Sequence, residues 1–290
     1  MWHILILIEH GIGNQVVNWV AGWLSQRQQR VCISGEQSTW KPVFSGVPQG
    51  SVLGPVLFFL IYINDIDLRI NNWLLKFADD TKIFSKISDK ATSDSLQGDL
   101  TKLIQWSHDL QMEFNIQKCK VLQIGCSNPS YRYLMDSQYL EDVSDEKDLG
   151  VMFTNDLKSA AQVTEACKKA NRALGMINRT IKSKSKSVLL SLYETLVRPH
   201  LEYCTPVWSP HYAKDKQMLE KVQHRFTRMV PSMKDIPCKD RLKQLGLWTL
   251  EERQNRADLL EMFKMLIGKS TPCCDSLFER NMLSSTRGHL

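Results

Sequence analysis

Trp73-Leu-Leu-Lys-Phe-Ala-Asp-Asp-Thr-Lys-Ile-Phe84 sets two short apolar runs on either side of Ala78-Asp79-Asp80. Such runs, separated by too few residues for anything but a tight turn, predict a β-hairpin. Its tip carries two adjacent carboxylates. Aspartate is common in turns because its side chain hydrogen-bonds nearby backbone, so the pair alone names no function. Two hard oxygen donors projecting from a hairpin tip are nevertheless what a divalent cation such as Mg²⁺ requires.

Some twenty-five residues earlier stands Ser45-Gly-Val-Pro-Gln-Gly-Ser-Val-Leu-Gly-Pro55. Gly46 and Gly50 bracket Pro48-Gln49, which lets the backbone come close to a ligand while Gln49 presents an amide to it. By composition it also reads as a plain strand-to-helix loop. Breakers Gly54 and Pro55 set the start of a helix in the apolar stretch from Ser51 to Asp67.

Ahead of that loop, Trp2 to Gln26 has helical spacing broken at Gly11-Ile-Gly13, which predicts two short helices. Arg30–Ser34 and Thr39–Phe44 flank Gly35-Glu36 as a further hairpin, with Pro42 marking an edge strand. Downstream, Leu96, Leu100, Leu103, Trp106, Leu110 and Phe114 recur at helical intervals and predict a long amphipathic helix ending near Asn115. Val121–Ile124, Tyr131–Met135 and Asp148–Phe153 read as short strands. From Ser159 the strand signal fades, and helices are expected at about 159–181, 186–202, 212–230, 238–245 and 250–268. The order implies an α+β protein: helices on an antiparallel sheet over residues 1–155, then an all-α region over 156–290.

Charge divides at the same point. Residues 1–155 carry 13 Lys+Arg against 17 Asp+Glu, a net of −4, and residues 156–290 carry 24 against 14, a net of +10. An acidic half that gathers metal beside a basic half that holds phosphates suits an enzyme acting on nucleic acid; ordinary solvated helix charge gives the same totals. Lys168, Lys169, Arg172 and Arg179, and Lys221, Arg225 and Arg228, fall close to single helical faces. The eight cysteines show no C-x-x-C pair or zinc-finger histidine spacing, so reduced, mostly buried thiols are expected. Neither Met1–Ile8 nor Val52–Ile63 is long enough to act as a signal peptide or membrane span, and an intracellular protein without a membrane partner is expected.

Gly46-Val-Pro-Gln-Gly-Ser-Val-Leu-Gly-Pro55, continuing through Tyr62-Ile-Asn-Asp65, and then Phe77-Ala-Asp-Asp80 resemble motifs B and C of the reverse transcriptases of non-long-terminal-repeat (LINE-type) retrotransposons. Asn115-Ile-Gln-Lys118 is similar to the Asn-x-x-Lys of motif D. Lys147-Asp-Leu-Gly150 resembles the motif E strand that grips the primer, and Leu196-Val-Arg-Pro-His-Leu-Glu-Tyr-Cys204, followed by Trp208, resembles the thumb segment.

The resemblance implies a partial polymerase palm over 1–155 and a helical thumb and C-terminal region over 156–290. It implies RNA-templated DNA synthesis by nucleotidyl transfer at two Mg²⁺ ions, with RNA template, DNA primer, their RNA–DNA duplex and dNTP as partners. Asp79 would be the main motif C metal ligand with Asp80 beside it, and Phe77 would be the aromatic next to the primer end. Gln49 and Gly50 would border the nucleotide and template site. Lys118 would approach the pyrophosphate as a general acid, although Lys118 and Lys120 alternating on a predicted strand also read as solvated lysines.

His3-Ile-Leu-Ile-Leu7 looks like the helix that follows motif A in this family. On that reading the sequence begins after the motif A aspartate and lacks the fingers, and little or no polymerase activity is expected of it alone. The other reading is a non-catalytic, nucleic-acid-binding remnant of a retrotransposon, using its basic helices for phosphate contacts.

Overall fold

The computed structural model describes residues 7–8, 10–44, 46, 48, 50–55, 63–110, 112–270 and 277–278. These residues form two compact units, one of residues 1–121 with 127–142, the other of 122–126 with 143–290. Helices mix with small, two-stranded antiparallel sheets, an α+β arrangement. The change of texture near residue 155 is therefore not where the compact units divide.

In the first unit, helix α1 (Asn14–Leu24) turns Val17 and Val20 onto Leu7. An exposed hairpin follows, made of β1 (Gln28–Gln29), β2 (Cys32–Ile33), β3 (Glu36–Gln37) and β4 (Lys41–Pro42). β2 pairs with β3 around Ser34-Gly35, and β1 pairs with β4. Ser34 and Gly35 both have positive φ, the type I′ geometry that matches strand twist. The turn thus falls one residue before the expected Gly35-Glu36.

The predicted acidic hairpin is present as β5 (Trp73–Phe77) and β6 (Asp80–Phe84), in register from Trp73↔Phe84 to Phe77↔Asp80. Its inner residues Leu74 and Ile83 pack on a core of Ile63, Ile66, Leu100, Leu103, Tyr133 and Met135. Helix α2 (Lys90–Asp109) supplies much of that core. Asp89 and Thr92 close a reciprocal capping box at its N-terminus. The helix stops at Asp109, short of the expected Asn115. A small hairpin, β8 (Leu134–Met135) with β9 (Gln138–Tyr139), is tied to α2 through Gln97, whose side chain both donates to the Leu134 carbonyl and accepts from its N–H at 2.9 Å. The chain passes between the two units three times: within β7 (Lys120–Leu122), between Cys126 and Ser127, and within β10 (Glu141–Val143).

The second unit opens with β11 (Asp145–Asp148) and β12 (Val151–Thr154). The strand expected over Asp148–Phe153 is instead interrupted: Leu149 and Gly150, at φ +42° and +90°, form a two-residue turn between two antiparallel strands. Helices α3 (Ala160–Thr180), α4 (Lys186–Leu192), α5 (Arg198–Glu202), α6 (Thr205–Trp208), α7 (Ala213–Met229), α8 (Cys238–Leu245) and α9 (Leu250–Leu266) follow; α4 and α5 together fill the single helix expected at 186–202, α6 falls where none was expected, and the others lie close to their expected places. Val163, Ala166, Ala170, Leu174 and Ile177 mark the buried face of α3 at helical spacing. They join Leu189, Tyr193, Val197, Leu201, Leu219 and Phe226 in one core. Each buried leucine there contributes on the order of 2 kcal/mol.

Between α4 and α5 the helix widens into a π turn over Tyr193–Val197. Pro199 follows within the first turn of α5; lacking an N–H, it cannot donate to the carbonyl of Thr195 four residues back, which disfavours a regular α turn there. Tyr193 stacks on Phe226 with centroids 4.1 Å apart. Its hydroxyl donates to Gln223 at 2.6 Å, and Gln223 donates onward to the Trp248 carbonyl at 2.9 Å, so a polar chain crosses the core without an orphaned group. No helix among the described residues is long and apolar enough to cross a membrane.

The cysteines depart from expectation. Of the six described, only Cys167 is buried, while Cys32, Cys126 and Cys204 are exposed; all six are free thiols. Burial pushes the Cys167 thiol up to about 11, which keeps it protonated and unreactive.

Candidate active site

The register Phe77↔Asp80 leaves Ala78 and Asp79 as a two-residue turn, with Asp80 already the first residue of β6. Ala78 is held at φ +53° while Asp79 is not. That is the sign pattern of a II′ turn, for which glycine is the usual first residue. Asp79 and Asp80 are both exposed and make no ion pair among the described residues. Phe77, 63% exposed, stands beside them.

Below the tip, the hairpin is held at two points. The Lys76 ammonium donates to the Asn64 carbonyl and to Asp67, each at 2.8 Å, so β5 is fixed to the 3₁₀ turn Asn64–Asp67. This bond is the main reason that the Asp67 carboxyl lies below its usual range. At the base, Asp99 of α2 accepts from the N–H groups of Asn71 and Asn72 at 2.9 Å and from the Asn72 amide at 2.8 Å. It also accepts from Lys102 at 2.7 Å. Burial opposes ionisation of Asp99; the bonds from Lys102, Asn72 and Asn71 outweigh it and leave the carboxyl below its usual range.

Neither Asp99 nor Lys76 stands out by residue type. The available signal was register: Asp99 is three residues after Leu96 and one before Leu100, a charge placed on the apolar face of α2.

The glycine-rich loop is described in part. Gln49, with Ser45, Val47 and residues 56–62, lies outside the described residues, as do residues 3–6. Gly46 and Gly50 have φ of +75° and +79°, with nothing among the described residues within 4 Å of where a Cβ would stand. The Gly46 carbonyl accepts from Arg27 at 2.6 Å. Ser51 accepts from the Gly54 N–H at 3.0 Å, which caps the start of the helical residues Leu53–Pro55.

Lys118 is not on a strand. It ends a 3₁₀ turn, Ile116–Lys118, with its N–H donating to the Asn115 carbonyl at 2.9 Å and its side chain exposed. The chain bends there because Asn115 accepts both this bond and one from Cys119, and β7 begins only at Lys120.

In the second unit, the β11–β12 turn is seated against Tyr203. The Tyr203 hydroxyl donates to the Leu149 carbonyl at 3.0 Å, and a Cβ on Gly150 would stand 3.1 Å from the tyrosine ring. Two of the segments singled out in the sequence thus touch. Among the cations, Lys168 pairs with Glu165 and Arg225 donates to Asn171. Burial, and then the neighbouring charge of Lys147, hold the Lys169 ammonium below its usual range, so positive charge is crowded beside β11.

The hard oxygens of Asp79 and Asp80 suit Mg²⁺, which is commonly held by one or two carboxylates together with substrate phosphates. Among the described residues no three His, Cys, Asp or Glu side chains converge as a metal site.

Comparison with known proteins agrees with the motif reading. The family described as reverse transcriptase (RNA-dependent DNA polymerase) matches residues 6–187. The RNA-directed DNA polymerase from mobile element jockey of Drosophila melanogaster is 24% identical over 223 residues, which covers 72% of this chain and 24% of that protein. The probable RNA-directed DNA polymerase from transposon X-element of the same fly is 23% identical over 244 residues, 79% of this chain and 26% of that one. The jockey polymerase of Drosophila funebris is 21% identical over 266 residues, 85% of this chain and 29% of that one. The chain thus spans about a quarter of the length of these relatives.

Proposed function

The chain belongs to the reverse transcriptase (RNA-dependent DNA polymerase) family and is of the LINE type, and we propose that it supplies the motif C carboxylates and the helical nucleic-acid-binding region of an RNA-templated DNA polymerase. The observation that carries this reading is the exposed Asp79–Asp80 tip, without an ion pair among the described residues, of a hairpin clamped from two sides.

Asp79 and Asp80 would hold Mg²⁺. When bound, two such ions lower the charge barrier to attack of a primer 3′-oxygen on a dNTP and to departure of pyrophosphate. The chain's own residues position these partners. Asp99 and Lys76 fix the height and direction of the acidic tip; Phe77, at the last position of β5, offers a face to the primer end. Gln49 and Gly50 border the nucleotide and template, and Lys118 protonates the pyrophosphate. Residues 1–155 act as palm; residues 156–290 act as thumb, where the +10 net charge favours the phosphates of an RNA–DNA duplex.

Both carboxylates rise from one hairpin and supply one side of a metal clamp. A misplacement of about 1 Å at reacting atoms costs on the order of a hundredfold in rate, so the bonds from Asp99 and Lys76 that hold the hairpin bear directly on primer extension.

The test is primer extension on an RNA template with Mg²⁺, by this polypeptide and by a fusion of it to the motif A and fingers of a related element. Extension by the fusion, reduced at least about a hundredfold by Asp79→Asn, is the expected result. Extension undiminished by Asp79→Asn would overturn the site. A fusion that binds duplex but never extends would favour the non-catalytic reading.

A further inference from the structure

A second basic feature lies away from the hairpin, where the loop between α3 and α4 meets the end of α7. An open groove there encloses about 540 Å³. It is bordered by Asn178, Lys184, Arg228, Pro231, Lys234 and Asp235, among others. Three cations thus face one carboxylate. Arg228 and Lys234 make no ion pair among the described residues, and Lys184 donates only to neutral oxygens, the Asn178 carbonyl at 3.0 Å and its side-chain oxygen at 3.3 Å. Those bonds fix the ammonium at the groove without neutralising it.

Two observations next to the groove point the same way. Arg241, only 3% exposed, donates to the carbonyl of Ile236, next to groove-lining Asp235, yet its Nε has no hydrogen-bond partner. Its buried charge has no carboxylate among the described residues. His224 is held below its usual range by burial first, then by Arg241 and Arg228, as a local excess of positive charge requires.

Helix C-termini favour cations, which accounts for Lys184 and Arg228 one at a time. It does not account for Lys234, on the turn that follows α7, nor for the excess of three cations over one carboxylate in the groove. The loop itself reads Lys182-Ser-Lys-Ser-Lys-Ser187, so serine hydroxyls alternate with lysines as further donors.

We propose that this groove binds the phosphodiester backbone of single-stranded nucleic acid, with Lys184, Arg228 and Lys234 as phosphate contacts. It rests on the reading of the chain as a nucleic-acid enzyme and adds a site to it. An open groove rather than a closed cavity suits a polymer whose backbone runs past it. Single-strand phosphate contacts each contribute about 0.7 to the slope of log affinity against log salt, so three contacts contribute about 2.

The test uses the whole chain and fluorescein-labelled oligoribonucleotide and oligodeoxyribonucleotide of one sequence, followed by anisotropy between roughly 50 and 200 mM salt. Lys184→Ala/Arg228→Ala/Lys234→Ala should bind at least about tenfold more weakly, with a slope shallower by about 2. Lys41→Ala/Arg69→Ala/Lys86→Ala removes the same charge from exposed positions outside the groove and should bind as the parent does. The lysine pair changed to Lys184→Arg/Lys234→Arg should keep its affinity, which separates lost charge from lost folding. Parental binding with an unaffected groove variant would overturn the groove and leave the nucleic-acid reading standing. Equal losses in both triple variants would overturn it in favour of diffuse attraction, and a parent that binds neither probe would overturn both. RNA bound more tightly than DNA would assign the groove to the template, and the reverse to the DNA product.

Discussion

Asp99 carries more of the acidic hairpin's placement than either aspartate at the tip. Its side chain is fully buried and accepts four hydrogen bonds, three of them from Asn71 and Asn72 at the mouth of β5. Asp99→Asn removes the charge and leaves an amide that cannot accept all four, a loss of about 1–3 kcal/mol. Hydrogen exchange should quicken over residues 73–84 before it does over α2, and unchanged protection there would show that Lys76 alone holds the hairpin. Lys102→Ala, which removes a partly exposed partner, should cost less. His224 gives a second residue-scale outcome. Its pKa is depressed in the folded chain, so the unfolded chain binds more protons. The stability it contributes is complete above its ordinary value of about 6.5 and is lost as pH falls through the depressed one. Urea midpoints should drop from pH 7.5 to 5.5, and His224→Gln should flatten that drop; equal slopes in the two proteins would rule it out.

At the scale of elements, turns decide which expectations hold. The β5–β6 hairpin was readable because apolar strands met at a tight acidic gap, and α2, α3, α7 and α9 were readable because their apolar residues recur at helical spacing over several turns. The β11–β12 turn was not: Leu149 sits at φ +42°, against the preference of a branched side chain, and is held there from outside by Tyr203. Tertiary contact, not local sequence, makes that turn. Gly150→Ala places a Cβ at φ +90° and 3.1 Å from the Tyr203 ring, for an expected loss of about 1–3 kcal/mol. Tyr203→Phe removes one half-exposed hydrogen bond, about 0.5–1 kcal/mol. Gly150→Ala with Tyr203→Ala should destabilise less than the sum of the single changes, because removing the ring relieves the steric part. Strict additivity in denaturant titrations would mean that ring and turn do not meet. The strand expected at Lys118 fails for a related reason: Lys118 and Lys120 alternate as strand residues would, but the hydrogen bonds to the Asn115 carbonyl make a 3₁₀ turn there instead.

At the scale of the whole molecule, two units of unlike construction share one chain. The second buries a continuous core from Val151 to Leu250 and locks its periphery with charge, as where Arg253 grips both oxygens of Glu202. The first divides its apolar burial between a small cluster around α1 and another around α2. It leaves Phe44 92%, Trp73 73% and Phe77 63% exposed, and its β1–β4 hairpin is exposed at every strand position. Local opening costs least where few apolar contacts must be broken. Limited proteolysis should therefore cut first within residues 27–44, then around the acidic hairpin. A resistant product should persist that contains β11 to α9, residues 145–266. Adding an RNA–DNA duplex with Mg²⁺ should slow cleavage near residues 77–80 if the acidic tip faces nucleic acid, since a ligand that binds only the folded form stabilises it by mass action. Asp79→Asn should remove that added protection and leave the resistant product unchanged. Cleavage that begins within α3 or α7 would show that the larger core is not the more stable one, and protection near residues 77–80 that survives Asp79→Asn would separate nucleic-acid contact from metal binding.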